Sequence, residues 1–437
     1  MGRHRFRNWA RTHSCLAEVY HQPASEDELV ALVRAAVSAN KRLRVVGAGH
    51  SWNDSACTDE WLVNLDRYGS IVSIDREALT VTAQAGMRLE DLNTALATAG
   101  FALSAQGSVA KQSLGGLVGT GTHGTGIRFA NFSGQLTALR LVTADAQVRA
   151  LSPEDGPLFS AACLALGCLG IVSTVTLRIE PAFRLEERAW SLSFDEAVEQ
   201  VDALVAAHEH LKLWWVPHTD RVQVYAQDRT DAPATRRTLR ERWEASAALR
   251  WVFTLLLGLG RWVPALIPAI NGLIVLTHFR AYRRVAVAHE VFNIPMPPRH
   301  DETEWGIDAG CTQEALRALR ALIATGGHRV NFIVEVRFVA ADEVMLSPAY
   351  QRPSCQLGGY SARGAASAPY LKAFETLMVS LGGRPHWGKA VGANRPTLEA
   401  ALPELTAFDT IRQRLDPDGR FVNRFVAQVF DQDPGTA

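Results

Sequence analysis

Gly47-Ala48-Gly49-His50-Ser51 follows Leu43-Arg44-Val45-Val46, an apolar run with the composition of a short strand. A polar stretch, Trp52 to Asp59, comes directly after it. Glycines in such a turn accept positive φ angles and let backbone N–H groups approach a ligand closely. The stretch therefore predicts a glycine turn that presents the side chain of His50 to a bound molecule.

A second glycine-rich stretch runs from Ser113 to Gly126 and has no clean helix or strand period. Its Gly119–Gly124 part fits the pattern G-x-G-x-x-G, and Asp145 lies where the ribose-binding acid of a nicotinamide site would stand. The context disagrees, because no apolar strand precedes the glycines and Thr125-Gly126 stands where a helix should begin. The pattern favours a loop without a helix, in which N–H groups and threonine hydroxyls hold a pyrophosphate. A nicotinamide-dependent dehydrogenase is the distant alternative.

The bulk composition excludes some function classes. The 437 residues predict two or three domains, and 47% hydrophobic with 21% charged residues is typical of a soluble protein. Lys+Arg and Asp+Glu both number 45, which argues against nucleic acid as a partner. The six cysteines form no C-x-x-C pair and the histidines show no ligand spacing, so no zinc site, redox dithiol or other metal site is expected. With no apolar N-terminal segment, a cytoplasmic location is expected.

The segment 249–276 is strongly apolar and long enough for a membrane span. Arg261, Pro264, Pro268 and Asn271 interrupt it, and an arginine and prolines oppose insertion as one helix. We expect two buried or interface helices joined near Pro264. Peripheral membrane contact through this segment is the alternative.

The remaining pattern mixes helices and strands in an α+β order. Ser25 begins a helix as its cap, another helix runs from Leu89 to about Thr98, and Leu136 to Leu151 has the pattern of a hairpin. After Pro181, tryptophans and strand-like runs such as Val330–Phe338 predict a second domain with an antiparallel sheet.

Several separated motifs, in a fixed order, resemble the aldonolactone oxidoreductases, a group that includes gulonolactone oxidase, arabinonolactone oxidase and the alditol oxidases. They belong to the vanillyl-alcohol-oxidase (PCMH) type of FAD flavoproteins. The resemblance covers most of the chain and is carried by Val46-Gly-Ala-Gly-His-Ser51, Ala56-Cys-Thr-Asp59, Gly119–Gly126, Gly167–Leu177, Val334-Glu-Val-Arg-Phe338, Leu346-Ser-Pro-Ala-Tyr350, His386-Trp-Gly-Lys389 and Asn423.

The resemblance implies a two-part FAD-binding domain at 13–180. A substrate domain, a large antiparallel sheet flanked by helices, follows at 181–375, and 376–437 returns to the active site. His50 matches the position where many members join a histidine to the flavin 8α carbon, which implies covalent FAD; the alternative is a histidine that only hydrogen-bonds the loop. The implied cofactor-binding residues are Val46, Gly47, Ala48, Gly49, His50, Ser51, Ser113, Gly116, Gly119, Thr120, Thr122, His123, Gly124, Gly170, Ile171 and Val172.

The implied catalytic residues are Glu335, Arg337, Lys389 and His386. Glu335 and Arg337 alternate with valines on a predicted strand and so face one side, where a structural salt bridge is the alternative. In similar enzymes this pair and the lysine hold the hydroxyls of the substrate, and a cation beside the reacting oxygen stabilises the emerging alkoxide. His386 takes the proton or packs at the flavin edge; the sequence leaves both open.

The implied reaction is oxidation of a secondary alcohol of an aldono-1,4-lactone, such as L-gulono-1,4-lactone or D-arabinono-1,4-lactone, by hydride transfer to flavin N5. O2, giving hydrogen peroxide, or another acceptor then reoxidises the flavin, in a biosynthesis of the ascorbate type. The stretches around Glu335 and Tyr350 resemble gulonolactone oxidase more than alditol oxidase, which favours a lactone. An alditol oxidase acting on xylitol or sorbitol is the main alternative, and a membrane-associated binding protein a distant one.

Overall fold

The computed structural model describes residues 3–236, 238, 247–295, 298–364 and 367–431. Within these ranges the strands are β1 (His4–Arg7), β2 (Ser14–Ala17), β3 (Val19–His21), β4 (Leu43–Val46), β5 (Trp61–Asn64), β6 (Ile71–Asp75), β7 (Thr80–Gln84), β8 (Phe101–Ala102), β9 (Leu136–Val142), β10 (Val148–Leu151), β11 (Ile171–Arg178), β12 (Glu180–Pro181), β13 (Arg184–Leu192), β14 (His210–Trp215), β15 (Val222–Thr230), β16 (Tyr282–Val287), β17 (His300–Asp308), β18 (Val334–Val339), β19 (Ser354–Ala362) and β20 (Arg384–Pro385). The α-helices are Glu26–Ser38, Leu89–Ala99, Leu114–Gly119, Pro157–Cys163, Phe194–Ala207, Ala247–Trp262, Ile267–His278, Ala288–Phe292, Thr312–Thr325, Ser367–Ser380, Arg395–Ala401, Leu405–Leu415 and Arg424–Phe430.

Two sheets organise the first part of the chain. A parallel sheet has the order β3-β5-β4, and a five-stranded antiparallel sheet has the order β10-β9-β11-β7-β6. The helix Glu26–Ser38 begins where expected, because the Ser25 side chain accepts a hydrogen bond from the Glu28 N–H. The predicted hairpin is confirmed as β9 and β10, and the predicted stop at Gly100 as a left-handed cap. β4 thus ends at the glycine turn that contains His50.

An eight-stranded antiparallel sheet, of order β16-β13-β15-β14-β18-β19-β17-β20, follows. Its two faces differ because side chains alternate along each strand. Val334, Val336 and Phe338 lie on the apolar face and pack with the helices Phe194–Ala207 and Thr312–Thr325. Glu335 and Arg337 lie on the opposite, polar face, as the alternation predicts.

The last part of the chain returns to the glycine turn. Asn423 caps the helix Arg424–Phe430 with its side-chain oxygen, and its Nδ2 donates to the carbonyls of Asp54, Ser55 and Cys57 at 3.0, 3.1 and 2.9 Å. The edge strand β20 lies within the predicted segment 376–437 and pairs with β17. The division at 13–180, 181–375 and 376–437 stays a prediction.

The second glycine stretch corrects one expectation. Leu114–Gly119 is a short helix, so the prediction of a loop without a helix is wrong for these residues. Leu114, Leu117 and Val118 are buried in the core, and this packing outweighs the low helix propensity of the glycines. From Thr120 onward the stretch is irregular, as expected.

The apolar segment 249–276 forms two helices joined by a 3-10 turn at Pro264–Leu266, which confirms the predicted break. Its inner side is buried, and Asn271 Nδ2 donates to the carbonyls of Pro217 and Val330. Among the described residues, no helix combines the length and the apolar character that crossing a bilayer requires.

Candidate active site

A cleft lies between the glycine turn after β4 and the helix Leu114–Gly119. Most of the predicted cofactor-binding residues line it: Val46, Gly47, Ala48, Gly49, His50, Ser51, Ser113, Gly116, Gly119, Thr120, Gly170 and Val172. The two glycine stretches of the sequence therefore form opposite walls of one site, which we call the glycine-lined cleft.

Four of the predicted cofactor-binding residues lie outside the lining of this cleft: Thr122, His123, Gly124 and Ile171. Gly124 packs so tightly that an added β-carbon would stand 2.5 Å from the Gln106 carbonyl oxygen. Ile171 belongs to an apolar cluster with Leu29, and His123 lies in a polar cluster described below.

The walls of the cleft approach each other at Gly47. A β-carbon on this residue would stand 2.0 Å from the hydroxyl oxygen of Ser113, which is itself buried. Only glycine leaves room for the serine there. Gly49, with φ of 68°, also has a backbone conformation that favours glycine.

His50 faces the cleft with an unused nitrogen. Its Nδ1 is buried and has no hydrogen-bond partner among the described residues, while its ring stacks on Trp9 at 5.8 Å. Burial, with the nearby cations Arg88 and Lys389, lowers the pKa of His50 to about 4. The imidazole is therefore neutral at neutral pH, and the orphaned nitrogen fits a ligand bound in the cleft.

Arg44 lines the cleft and was missed by the sequence reasoning. Its guanidinium donates to four backbone carbonyls, those of Ser55, Leu166, Gly167 and Phe421. It is 3% exposed, and burial lowers its pKa to about 10. The available signal was a charged residue inside the apolar run 43–46, since a charge is buried only where partners satisfy it.

Glu335 and Arg337 meet on the polar face of the large sheet. Arg337 donates to Glu335 Oε2 at 2.6 Å and to Ser108 Oγ at 3.1 Å. Tyr360 also donates to Oε2, at 2.7 Å, and Trp214 donates to Oε1 at 2.8 Å. Although burial raises the pKa of Glu335, the charges of Arg337 and Lys212 and these hydrogen bonds outweigh it and lower that pKa.

The ammonium group of Lys389 is surrounded by two glutamates of β17 and by an aromatic ring. Its Nζ pairs with Glu302, stands 3.6 Å from Glu304 Oε2, and lies 4.4 Å from the ring centre of Trp52. Glu302 and Glu304 are almost fully buried and were not predicted. Their alternation along His300–Asp308 is the same signal that identified Glu335 and Arg337.

His386 and His123 complete this cluster around Glu304. His123 Nε2 lies 3.0 Å from Glu304 Oε1, and His386 Nδ1 accepts a hydrogen bond from the Gly388 N–H at 3.0 Å. Burial lowers the pKa of His386 to about 3, although Glu304 partly opposes this. Because Nδ1 accepts, the single proton of the neutral His386 ring is on Nε2.

The chemistry of these three residues argues against a metal ion. His123, Glu304 and His386 offer ligand atoms that all lie within 4.8 Å of one another. A metal ligand needs a free lone pair, whereas one ring nitrogen of His386 is occupied by an N–H and the other is protonated. The contacts favour a hydrogen-bonded charge cluster.

The Lys389 cluster is attached to the glycine turn. Asn53 Nδ2 donates to the carbonyls of Trp387 and Lys389 at 2.7 and 2.9 Å, and the Trp52 N–H donates to the Gly388 carbonyl at 2.8 Å. These bonds place Lys389 beside the loop that follows His50. The Lys389 segment is therefore a direct neighbour of a loop that lines the cleft, and we treat the two groups of residues together as the candidate active site.

Comparison with known families agrees with this geometry. A family model described as D-arabinono-1,4-lactone oxidase matches residues 175–429, more than half of the chain. The chain belongs to this family. A model described as an FAD binding domain matches residues 17–152, which contribute most of the cleft lining, and FAD is the cofactor of this family member.

Relatives extend the match over nearly the whole chain. The L-gulonolactone oxidase of Bos taurus is 34% identical over 433 residues, covering 98% of each chain. The L-gulono-1,4-lactone dehydrogenase of Mycobacterium tuberculosis is 33% identical over 428 residues, covering 97% of this chain and 98% of the relative. The D-arabinono-1,4-lactone oxidase of Kluyveromyces lactis is 31% identical, covering 76% of this chain and 65% of the relative.

Solved structures show the same fold. A solvent-stable cholesterol oxidase superposes with a TM-score of 0.84 at 18% identity, covering 98% of this chain and 97% of the other. The expected α+β flavoprotein fold, the FAD cofactor and the family's class of oxidoreductase are thereby confirmed. The Rossmann-type interpretation of Gly119–Gly124 is set aside.

Proposed function

We propose that this protein oxidises a secondary alcohol of an aldono-1,4-lactone, of the L-gulono or D-arabinono type. The observation that carries the proposal is the polar face of the large sheet. Glu335 and Arg337 lie on that face, and Lys389 lies next to it, close to a cleft in the part matched by an FAD-binding family model. The family and its relatives support the lactone as substrate.

Glu335 has room for one substrate hydroxyl. An ionised carboxylate accepts about four hydrogen bonds. Arg337 and Tyr360 use both acceptor positions of Oε2. Oε1 accepts a hydrogen bond from Trp214 alone among the described residues. The remaining acceptor position on Oε1 can therefore fix the orientation of one hydroxyl on the sugar ring.

Lys389 and Arg337 bring positive charge to the hydroxyl that reacts. Bound FAD supplies the hydride acceptor. As the C–H bond at the carbinol carbon breaks, the hydroxyl proton passes to solvent water and the oxygen develops alkoxide character, which a nearby cation stabilises. Glu302 and Glu304 hold the Lys389 ammonium in place for this role.

His386 acts as a hydrogen-bond donor in this proposal. Its Nδ1 already accepts the Gly388 N–H, and its lowered pKa opposes a second proton. Of the two roles that the sequence leaves open, these contacts support packing and donation at the site over proton abstraction.

We further infer that His50 bonds covalently to the flavin. Its buried, unpartnered Nδ1 and its lowered pKa support this, since only a neutral imidazole has a lone pair to attack. Acid precipitation of the purified protein, followed by fluorescence of the washed polypeptide, tests it. We expect flavin fluorescence on the chain for the wild type and none for His50→Ala; flavin still attached to His50→Ala would disprove the bond.

Steady-state turnover distinguishes the lactone from the open polyol. We expect kcat/KM for L-gulono-1,4-lactone or D-arabinono-1,4-lactone to exceed that for xylitol and sorbitol. A higher value for xylitol would replace the proposal by alditol oxidation. Parallel assays with O2 in an oxygen electrode and with an artificial dye establish whether hydrogen peroxide is a product.

A second proposal concerns the helices Ala247–Trp262 and Ile267–His278. Trp251, Leu255, Trp262 and Leu276 are 70, 70, 82 and 82% exposed and point away from the core. Exposed tryptophans and leucines on an amphipathic helix are typical of peripheral membrane contact. We propose a cytoplasmic protein that contacts a membrane surface here; co-sedimentation with lipid vesicles tests it, and protein that stays in the supernatant contradicts it.

A further inference from the structure

Two cysteines that are distant in the sequence meet beside the glycine-lined cleft. Cys15 lies on β2, and Cys57 lies in the loop after the glycine turn. The Thr58 N–H donates to Cys15 Sγ at 3.3 Å, so the Cys15 sulfur lies against the peptide that joins Cys57 to Thr58. Both thiols are free and half-buried. The spacing in the sequence gave no C-x-x-C signal, and only the fold brings the pair together.

The two sulfurs differ in their chemistry. The hydrogen bonds from Cys57 and from the Thr58 N–H favour negative charge on Cys15 and, against the effect of burial, lower its pKa to about 7. The hydrogen bond to Cys15, burial and the charge of Cys15 all raise the pKa of Cys57. Cys15 is therefore the more acidic of two neighbouring thiols, which is the arrangement of a reactive cysteine and its resolving partner.

We propose that Cys15 and Cys57 form a reversible intramolecular disulfide, with a peroxide as the oxidant. The Cys15 thiolate attacks one peroxide oxygen, the O–O bond breaks, and one water leaves after protonation while the sulfur becomes a sulfenic acid. The Cys57 thiol then attacks that sulfur, the S–S bond forms, and the hydroxyl leaves as a second water. Two thiols lose two electrons in total, and hydrogen peroxide gains them.

Both ends of this bridge are attached to the walls of the cleft. Cys15 pairs across the hairpin with Phe6, which lines the cleft. The loop that carries Cys57 contributes Asn53, Ser55 and Ala56 to the same lining. A disulfide here would tie two parts of the cofactor site together, so the oxidation state of the pair is coupled to that site.

The site goes beyond the proposed function and can be tested apart from it. Turnover with O2 would release peroxide nearby, but peroxide added from outside reaches the same thiols. The holoenzyme is therefore treated with a small excess of hydrogen peroxide in the absence of lactone, alkylated with N-ethylmaleimide, and mapped without reductant. A result on the thiols is thus independent of which substrate the enzyme oxidises.

We expect the loss of two hydrogen atoms in intact mass and a linked peptide pair containing Cys15 and Cys57, both reversed by dithiothreitol. Cys311, which is also half-buried, is the internal control and should stay fully alkylated. Full alkylation of Cys15 and Cys57 after peroxide would overturn the proposal. So would oxidation of Cys15 to sulfinic acid without a linked peptide.

Two variants separate the roles of the sulfurs. Cys57→Ser should stop at a sulfenic acid on Cys15 that dimedone traps, whereas Cys15→Ser should leave Cys57 unreacted. Equal dimedone labelling of Cys57 in Cys15→Ser would contradict the assigned order. If either variant fails to fold, the peptide map of the wild type decides by itself.

Discussion

The side chain of Ser113 fills the space that a β-carbon on Gly47 would need. Such a β-carbon would stand 2.0 Å from the Ser113 hydroxyl oxygen and 3.3 Å from its β-carbon. The two residues come from the two glycine stretches that form opposite walls of the cleft. The two walls therefore fit together because Gly47 has no side chain and Ser113 has a small one.

Gly47→Ala should separate these walls. We expect a loss of about 1–3 kcal/mol in the free energy of unfolding, because the added methyl overpacks a buried contact, together with less flavin per protein by absorbance. The double variant Gly47→Ala/Ser113→Ala lacks the Ser113 hydroxyl oxygen that clashes with the new methyl group, so it should recover part of the stability that Gly47→Ala loses. Gly272→Ala, where nothing lies within 4 Å of the new β-carbon, is the control and should not lose stability.

Tyr360→Phe removes one of the hydrogen bonds that hold Glu335 ionised and oriented. We expect a loss of about 1.5–3 kcal/mol in unfolding free energy, measured by urea denaturation, and a raised KM for the lactone. Tyr370→Phe is the matched control. The Tyr370 hydroxyl is buried without a partner among the described residues, so its removal should be neutral or stabilising. Equal losses in both variants would contradict the role of Tyr360.

Lys389→Met removes the cation that we place beside the reacting oxygen. We expect kcat/KM to fall by about 10²–10³-fold while bound flavin is retained, measured as anaerobic flavin reduction in stopped flow. Lys389→Arg keeps the charge and should recover part of the rate. A Lys389→Met enzyme with unchanged reduction kinetics would show that Lys389 serves structure alone.

The buried His386 should make stability depend on pH. Its folded-state pKa of about 3 lies below the ordinary value of 6.5, so the unfolded chain binds an extra proton between these values. The contribution of neutral His386 to the free energy of unfolding is fully present above pH 6.5 and is lost as the pH falls toward 3. From pH 6.5 to 5 this amounts to about 2 kcal/mol. Urea unfolding at both pH values should show a smaller difference for His386→Asn than for the wild type.

Trp262→Ser should weaken vesicle binding if the exposed helix face contacts lipid. Tryptophan at this position is 82% exposed, so the change leaves the fold intact while it removes apolar area from the contact surface. Val72→Ser, at an exposed valine distant in sequence from both helices, is the control. The same co-sedimented fraction for both variants and the wild type would remove the membrane proposal.

Local patterns predicted those parts of the molecule that local rules determine. The alternation of Glu335 and Arg337, the break at Pro264 and the cap at Gly100 all follow from chain geometry. The helix Leu114–Gly119 did not follow, because its glycines are poor helix formers and only burial of its leucines stabilises it.

The pairs that the sequence missed depend on tertiary contacts. Glu302 and Glu304 contact Lys389 only because the fold brings β17 and the His386–Lys389 segment together. The same holds for Cys15 and Cys57, which belong to separate elements of the fold. The alternation along β17 puts Glu302 and Glu304 on one face, but no local pattern indicates that Lys389 lies against them or that the two cysteines are neighbours.

The four carbonyls that accept hydrogen bonds from Arg44 are synthesised at different times during translation. Three of these acceptors are the carbonyls of Ser55, Leu166 and Gly167, whereas the fourth, Phe421, is synthesised about 250 residues after Gly167. While the chain is still emerging from the ribosome, the guanidinium has an incomplete set of partners. This wall of the glycine-lined cleft therefore gains its full set of Arg44 hydrogen bonds only after Phe421 has left the ribosome.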